Sequence, residues 1–90
     1  MSCPIALPAD LAALFDREDT TPARTVLIFR VDAGYVNDVR NDGYNAGYDE
    51  TTLALYRRMT AALAQEGYAF HDGLYEFTEE LWLFIRHTHA

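Results

Sequence analysis

Hydrophobic residues fall into separate groups along the chain, and their spacing predicts a mixture of helices and strands. The first group predicts a short helix over residues 8–19, since its apolar side chains recur at helical spacing: Leu7, Leu11, Leu14 and Phe15. The charged segment 16–24 is typical of a linker, and Pro22 would prevent the helix from continuing. Residues 1–23 are therefore predicted to be an N-terminal helix and linker.

The second group, Arg24–Asp32, is apolar through its middle and predicts a central strand that is covered on both faces. Asp32 comes where this strand would reach the surface, immediately before Ala33 and Gly34. A carboxylate at the end of a strand is well placed for chemistry, and it is also common as the first residue of a turn.

A second helix is predicted between Asp49 and Gly67. Asp49 can cap its first turn, Glu50 favours the positive helix N-terminus, and Gly67 stands where helices end. Tyr48 has the spacing of a hydrophobic staple with Leu53. One apolar stripe is expected to face the core: Leu53, Tyr56, Met59, Thr60 and Leu63.

Residues 68–77 predict a further strand with a bulge or bend at Gly73. The apolar run from Leu81 favours a strand paired with it as a hairpin, while a helix that begins at Glu79 is the alternative. The predicted fold class is therefore α+β, with residues 1–90 as a single domain and residues 24–90 as its core. A ferredoxin-like or truncated ferredoxin-like β-α-β-β unit with an extra short N-terminal helix describes this order.

The charge of the chain narrows the classes of partner. Its formal net charge is −7, and all seven basic residues are arginine. Such a surface repels phosphate backbones, so nucleic acid would need a bridging metal, whereas a basic protein partner would be attracted. A single cysteine and the lack of a signal peptide or of a long apolar run predict a cytoplasmic protein without a membrane span.

The segment between strand and second helix holds the candidate metal ligands. Asp38 and Asp42 fit positions of a calcium loop, but Arg40 would place a cation among the ligands. A looser site is chemically reasonable, in which Asp32 shares one Mg²⁺ with Asp38 or Asp42. Solvated turn residues are the alternative interpretation of these acids.

Tyrosines are frequent in the same part of the chain, and Tyr35, Tyr44 and Tyr48 accompany its carboxylates. Tyrosine provides rigid contact area in binding surfaces, but its ring can equally hold a loop against a sheet. We therefore predict a partner-binding surface from Tyr35, Asp38, Asp42, Tyr44 and Tyr48, with packing as the alternative role of the rings. The pair His87 and His89 could bind Zn²⁺, although a solvated tail is favoured.

Three segments together resemble the VapD family, which is related to small CRISPR-adaptation nucleases: "LIFRVD", "LAQEGYAF" and "HDGLYEFTEE". The family pattern has Gly-Ser-x-Tyr where this chain has "GLYEF". The resemblance implies a ferredoxin-like βαββαβ plan, a homodimer, and RNA cleavage that depends on Mg²⁺ or Mn²⁺. It also implies that Asp32 is the catalytic residue and that it lies at the dimer interface.

Two functions are therefore predicted. One is a VapD-like metal-dependent endoribonuclease of the toxin type, or an inactive relative, which acts as a dimer on RNA. The other is a non-catalytic acidic binding protein, such as an antitoxin, an anti-CRISPR-type inhibitor or a nucleic-acid mimic. That protein would contact a basic partner through the Tyr- and Asp-rich loop.

Overall fold

The computed structural model of the protein describes residues 3–35, 47–76 and 79–88. It is an α+β fold with the following elements along the described chain: α1 (Ala9–Ala12), β1 (Phe15–Thr20), β2 (Arg24–Val31), α2 (Glu50–Ala64), β3 (Ala69–Glu76) and β4 (Glu79–His87). The α+β class and the strand that was predicted for the last apolar run are both confirmed. The helix alternative that begins at Glu79 is wrong, because residues 79–87 pair with strands on both sides.

The strands form one sheet in the order β1-β2-β4-β3, and every neighbouring pair is antiparallel. The chain leaves β2, passes through α2 and returns as β3, and β4 then fills the position between β2 and β3. Because of this order, the end of β2 lies beside the start of β4, where Val31 is opposite Glu80.

The helix that was predicted over residues 8–19 is wrong beyond its first turn, and so is the linker over 16–24. After α1, Phe15 packs edge-on against Phe29 with ring centroids 5.7 Å apart, and residues 15–20 pair with β2. A tight turn joins the two strands, since Thr21 and Arg24 exchange backbone hydrogen bonds of 2.8 and 3.3 Å. The helical spacing arises because leucines of the first segment and Phe15 of the strand pack on the same core.

The predicted irregularity at Gly73 lies elsewhere in β3. The register shift falls between Phe70 and Asp72, whereas Gly73 is regularly paired with Trp82. Gly73 has a different role, which concerns the neighbouring side chain of Glu80.

The main core lies on the face of the sheet that α2 covers, and it includes Phe29, Met59, Leu63, Trp82 and Phe84. The opposite face carries a second buried cluster, Val26, Ile28, Leu81 and Ile85. Strand β2 contributes to both, which agrees with its nearly continuous apolar sequence.

Both predicted ends of α2 are confirmed. The Asp49 side chain accepts a 2.8 Å hydrogen bond from the Thr52 backbone N–H. At the other end, Gly67 adopts φ 84° and Tyr68 N–H donates to the Leu63 carbonyl at 2.9 Å, the pattern of a Schellman motif. Of the predicted stripe, Tyr56, Met59 and Leu63 contact the core, whereas Leu55 packs there rather than Leu53. The Thr60 hydroxyl instead donates to the Tyr56 carbonyl of its own helix at 2.8 Å.

Candidate functional site

The segments that lead into and out of residues 36–46 are held together at the start of α2. Asp49 N–H donates to the Gly34 carbonyl at 2.9 Å, and Gly34 N–H donates to the Thr52 hydroxyl at 2.8 Å. Tyr35 and Tyr48 form an isolated antiparallel bridge beside these bonds. The strand end and the helix N-terminus therefore form one closed junction.

Glycine is required at position 34 of this junction. A Cβ atom there would overlap the Asp49 carboxylate, which already caps the helix. The hydrogen bond to the Thr52 backbone is the main cause that lowers the pKa of Asp49, and the Thr52 hydroxyl adds to it. Asp49 is thus an ionised cap whose place depends on the absence of a side chain at Gly34.

A buried carboxylate, Glu80, lies on the sheet next to this junction. Its side chain points to the same face as Trp82, because alternate residues of a strand share a face. Glu80 is 4% exposed and accepts hydrogen bonds from three donors: the Tyr35 hydroxyl, the Tyr48 hydroxyl at 2.5 Å and Trp82 Nε1 at 3.1 Å. We call this group the Glu80 cluster, defined as Glu80, Tyr35, Tyr48 and Trp82.

Gly73 makes room for the Glu80 cluster on the neighbouring strand. A Cβ atom at Gly73 would lie 2.5 Å from Glu80 Oε1, well inside contact distance. Oε1 is also the oxygen that accepts from Tyr48 and Trp82. The glycine therefore opens the space that this carboxylate oxygen occupies.

Burial and the nearby carboxylate hold Tyr48 in its neutral form. Desolvation is the larger cause that raises the pKa of Tyr48, and its hydrogen bond to Glu80 raises it further. A neutral phenol remains a hydrogen-bond donor, so the bond to Glu80 persists through the physiological pH range. The cluster is therefore suited to holding two tyrosines in fixed positions.

An aromatic row connects the core to the surface through this cluster. The Trp82 ring packs against Tyr56 and Tyr48 with centroid distances of 5.6 and 5.8 Å. Tyr48 in turn packs against Tyr35 at 5.3 Å, and Tyr35 is 42% exposed. Tyr35 thus presents a ring at the surface while its hydroxyl is bound to a buried group.

Asp32, the predicted catalytic and metal-binding residue, is exposed and directly follows β2. The other predicted ligands, Asp38 and Asp42, and the predicted contact residue Tyr44 lie outside the described residues. Within residues 3–35, 47–76 and 79–88, no group of three or more His, Cys, Asp or Glu side chains is close enough to hold a metal ion. The roles of Asp32, Asp38 and Asp42 in a metal site remain predictions.

The structure brings together Tyr35 and Tyr48, as the packing interpretation of the tyrosines predicts, and it adds Glu80, which the sequence analysis missed. The sequence signal that could have indicated Glu80 is the alternation of side chains between the two faces of β4. If residues 79–87 form a strand, Glu80 shares a face with Trp82 and Phe84. A carboxylate on such an apolar face needs hydrogen-bond partners.

Comparison with family models, with curated proteins and with solved structures found no match. Among the described residues, no helix is both long and apolar enough to cross a membrane.

Proposed function

We propose that this protein is a non-catalytic acidic binding protein, and that Tyr35 is the centre of its contact surface for a basic protein partner. The observation that carries the proposal is the fixed yet exposed ring of Tyr35. Its hydroxyl is bound to buried Glu80, its ring packs against Tyr48, and 42% of the residue remains accessible.

A ring that is already held in place loses little conformational freedom on binding. Ordering a mobile side chain at an interface costs about 0.5–1.5 kcal/mol, and this cost falls when the free protein fixes the side chain. Tyrosine is among the residues that carry most of the binding energy in interfaces, because it combines apolar area with a polar tip. The Glu80 cluster therefore prepares Tyr35 for contact.

Charge identifies the kind of partner. The chain has a formal net charge of −7, and Asp32 stands exposed three positions before Tyr35 along the sequence. A basic surface would be steered towards such a chain, and its arginine or lysine side chains could stack on the accessible face of Tyr35. A nucleic acid without bridging metal would be repelled.

The test is affinity purification of the binding partner from the source cells, followed by titration of the purified partner with the wild type and Tyr35→Ala. We expect the partner to be basic and the affinity to fall when salt is raised from about 50 to about 300 mM. Loss of a central aromatic contact of about 2 kcal/mol or more corresponds to a loss of affinity of about 30-fold.

Leu74→Ala is the matched control, because Leu74 is the other large exposed hydrophobic residue in the described part of the chain, is 46% accessible and lies on β3. This variant is expected to bind like the wild type. Equal affinities for wild type and Tyr35→Ala, or an affinity that does not respond to salt, would contradict the proposal.

The second candidate is a VapD-like ribonuclease that works as a homodimer with Mg²⁺ or Mn²⁺ at Asp32. The arrangement of β2, α2, β3 and β4 supports it, since β4 lies between β2 and β3 as in the first half of a ferredoxin-like βαββαβ fold. Asp32 at the end of β2 is where the resemblance requires the catalytic carboxylate. A bound divalent ion would supply charge stabilisation on the phosphate and activate water.

An RNA cleavage assay with Mg²⁺ or Mn²⁺ separates the two candidates. The nuclease requires cleavage by the wild type that Asp32→Ala abolishes, while the binding protein requires none. Cleavage that survives in Asp32→Ala would point to a contaminant and would remove this candidate.

A further inference from the structure

Strand β1 forms one edge of the sheet, and its outer side pairs with no described strand. Because Thr21 and Arg24 exchange both backbone hydrogen bonds, the antiparallel alternation assigns bonded pairs to Asp19–Val26 and Arg17–Ile28. The residues between them, Glu18 and Thr20, therefore direct their backbone N–H and C=O groups away from β2. This edge has both donors and acceptors in position for one more strand.

The carboxylates of β1 differ in what they bind. The Asp16 carboxylate lies 2.6 Å from Arg17 Nη1 and 3.5 Å from Arg30 Nε, so it already forms ion pairs with two arginines. Glu18 and Asp19 are exposed and make no ion pair within the described part of the chain. They flank the open edge on opposite faces of the sheet, since successive residues of a strand alternate.

We propose that β1 is a docking edge for an extended basic segment of a protein partner, which adds to the sheet as a fifth strand. Main-chain hydrogen bonds to Glu18 and Thr20 would hold the segment, as in other cases of strand addition. Arginine or lysine side chains on its two faces would pair with Glu18 and Asp19. This surface is separate from Tyr35, because Thr20 and Glu18 lie opposite Thr25 and Leu27, whereas Asp32 follows the far end of β2.

The charge of the edge favours a basic occupant. A strand that carries arginine or lysine opposite Glu18 and Asp19 would meet these residues as opposite charges, whereas a second copy of β1 aligned with Asp19 opposite Asp19 would place like charges together. Arg17 lies on the same strand, but its guanidinium is already paired with the Asp16 carboxylate at 2.6 Å.

The experiment uses a synthetic peptide of about eight residues in which arginine alternates with threonine and valine, titrated into the full chain by fluorescence anisotropy. We expect saturable binding that slows the amide hydrogen exchange of Glu18 and Thr20. A glutamate version of the peptide is expected not to bind. A version with N-methyl groups on the bonding edge should lose at least about tenfold in affinity, because it cannot donate those hydrogen bonds.

Two variants of the protein distinguish the contribution of backbone hydrogen bonds to peptide binding from the contribution of charge. Thr20→Pro removes an outward N–H without removing a bond to β2, so it should fold and should weaken peptide binding by at least about tenfold. Glu18→Gln with Asp19→Asn keeps the backbone and should remove most of the salt dependence of binding. Circular dichroism and thermal unfolding establish that each variant is folded.

Equal binding of the N-methylated peptide, or unchanged amide exchange at Glu18 and Thr20 in the complex, would show adsorption by charge alone and would overturn the proposal. Failure of the arginine peptide to bind would also overturn it. Tyr35→Ala is expected to bind the peptide like the wild type. Failure of the β1 proposal and failure of the proposed contact surface at Tyr35 are therefore distinguishable.

Discussion

Replacing Tyr48 by phenylalanine removes one hydroxyl from the Glu80 cluster and keeps the ring. Tyr48 donates at 2.5 Å to Glu80, a carboxylate that is 4% exposed and keeps Trp82 and Tyr35 as donors in the variant. A hydrogen bond to a charged group contributes about 1.5–3 kcal/mol of net stability, and water has little access to replace this one. We therefore expect the free energy of unfolding to fall by about 1.5–3 kcal/mol.

Tyr56→Phe is the matched control. The Tyr56 ring packs against the same Trp82 at 5.6 Å, but its hydroxyl makes no hydrogen bond to a described residue, so a change within about 0.5 kcal/mol is expected. Urea titration followed by tryptophan fluorescence measures both, and thermal unfolding should show a decrease of roughly 4–8 °C for each kcal/mol. If Tyr48→Phe cost no more than Tyr56→Phe, Glu80 would not be the anchor that we infer.

Further predictions concern the same cluster and the end of α2. Burial and Glu80 raise the pKa of Tyr48, so the unfolded chain loses the phenol proton near pH 10 while the folded chain keeps it. The free energy of unfolding is therefore retained below pH 10 and falls above it. Urea titrations at increasing pH should show a smaller fall in the free energy of unfolding for Tyr48→Phe than for the wild type. Gly73→Ala should destabilise the protein by about 1–3 kcal/mol in thermal unfolding, because the new Cβ would meet Glu80 Oε1. This is the opposite of the usual effect, since alanine normally suits a strand better than glycine. Gly67→Ala should cost about 1–2 kcal/mol in urea unfolding, because φ is 84°, and Gly67→Asn should cost less.

The features that were predicted correctly depend on residues close together in the sequence. The cap of Asp49 on Thr52 and the ending of α2 at Gly67 each involve one turn of chain, so the residue types alone indicate them. The apolar run of β2 is equally local, because burial on both faces leaves no polar position to interrupt it.

Strand β1 could not be recognised in this way. Residues 17–20 are exposed on both faces of an edge, so they show no alternation of apolar and polar side chains, and the neighbouring leucines happen to repeat at helical spacing. Pairing with β2 decides their structure, and that pairing depends on the tight turn at Thr21 and on Phe15 reaching Phe29. Local propensity is thus overridden by a contact with the adjoining strand.

Glu80 was missed for a different reason, which bears on function. The alternation of β4 can mark Glu80 as an inward-facing carboxylate, but its partners Tyr35 and Tyr48 precede it by 45 and 32 positions, so no local pattern identifies them. The contacts nevertheless change what Tyr35 can do: a tyrosine in a segment rich in carboxylates could be a mobile solvated side chain, but one bound to a buried carboxylate is a fixed surface feature.

The fixed ring of Tyr35 and the exposed carboxylate of Asp32 lie at the same end of β2, yet they belong to different physical arrangements. Tyr35 depends on Glu80, whereas no hydrogen bond or ion pair joins Asp32 to that cluster among the described residues. Loss of the Glu80 carboxylate in Glu80→Gln should therefore loosen Tyr35 without touching the charge of Asp32. A binding function that requires a prepared aromatic ring would weaken in that variant, while metal-dependent chemistry at Asp32 would depend on the carboxylate itself. The two candidate functions thus respond to different substitutions, although they occupy neighbouring positions in the fold.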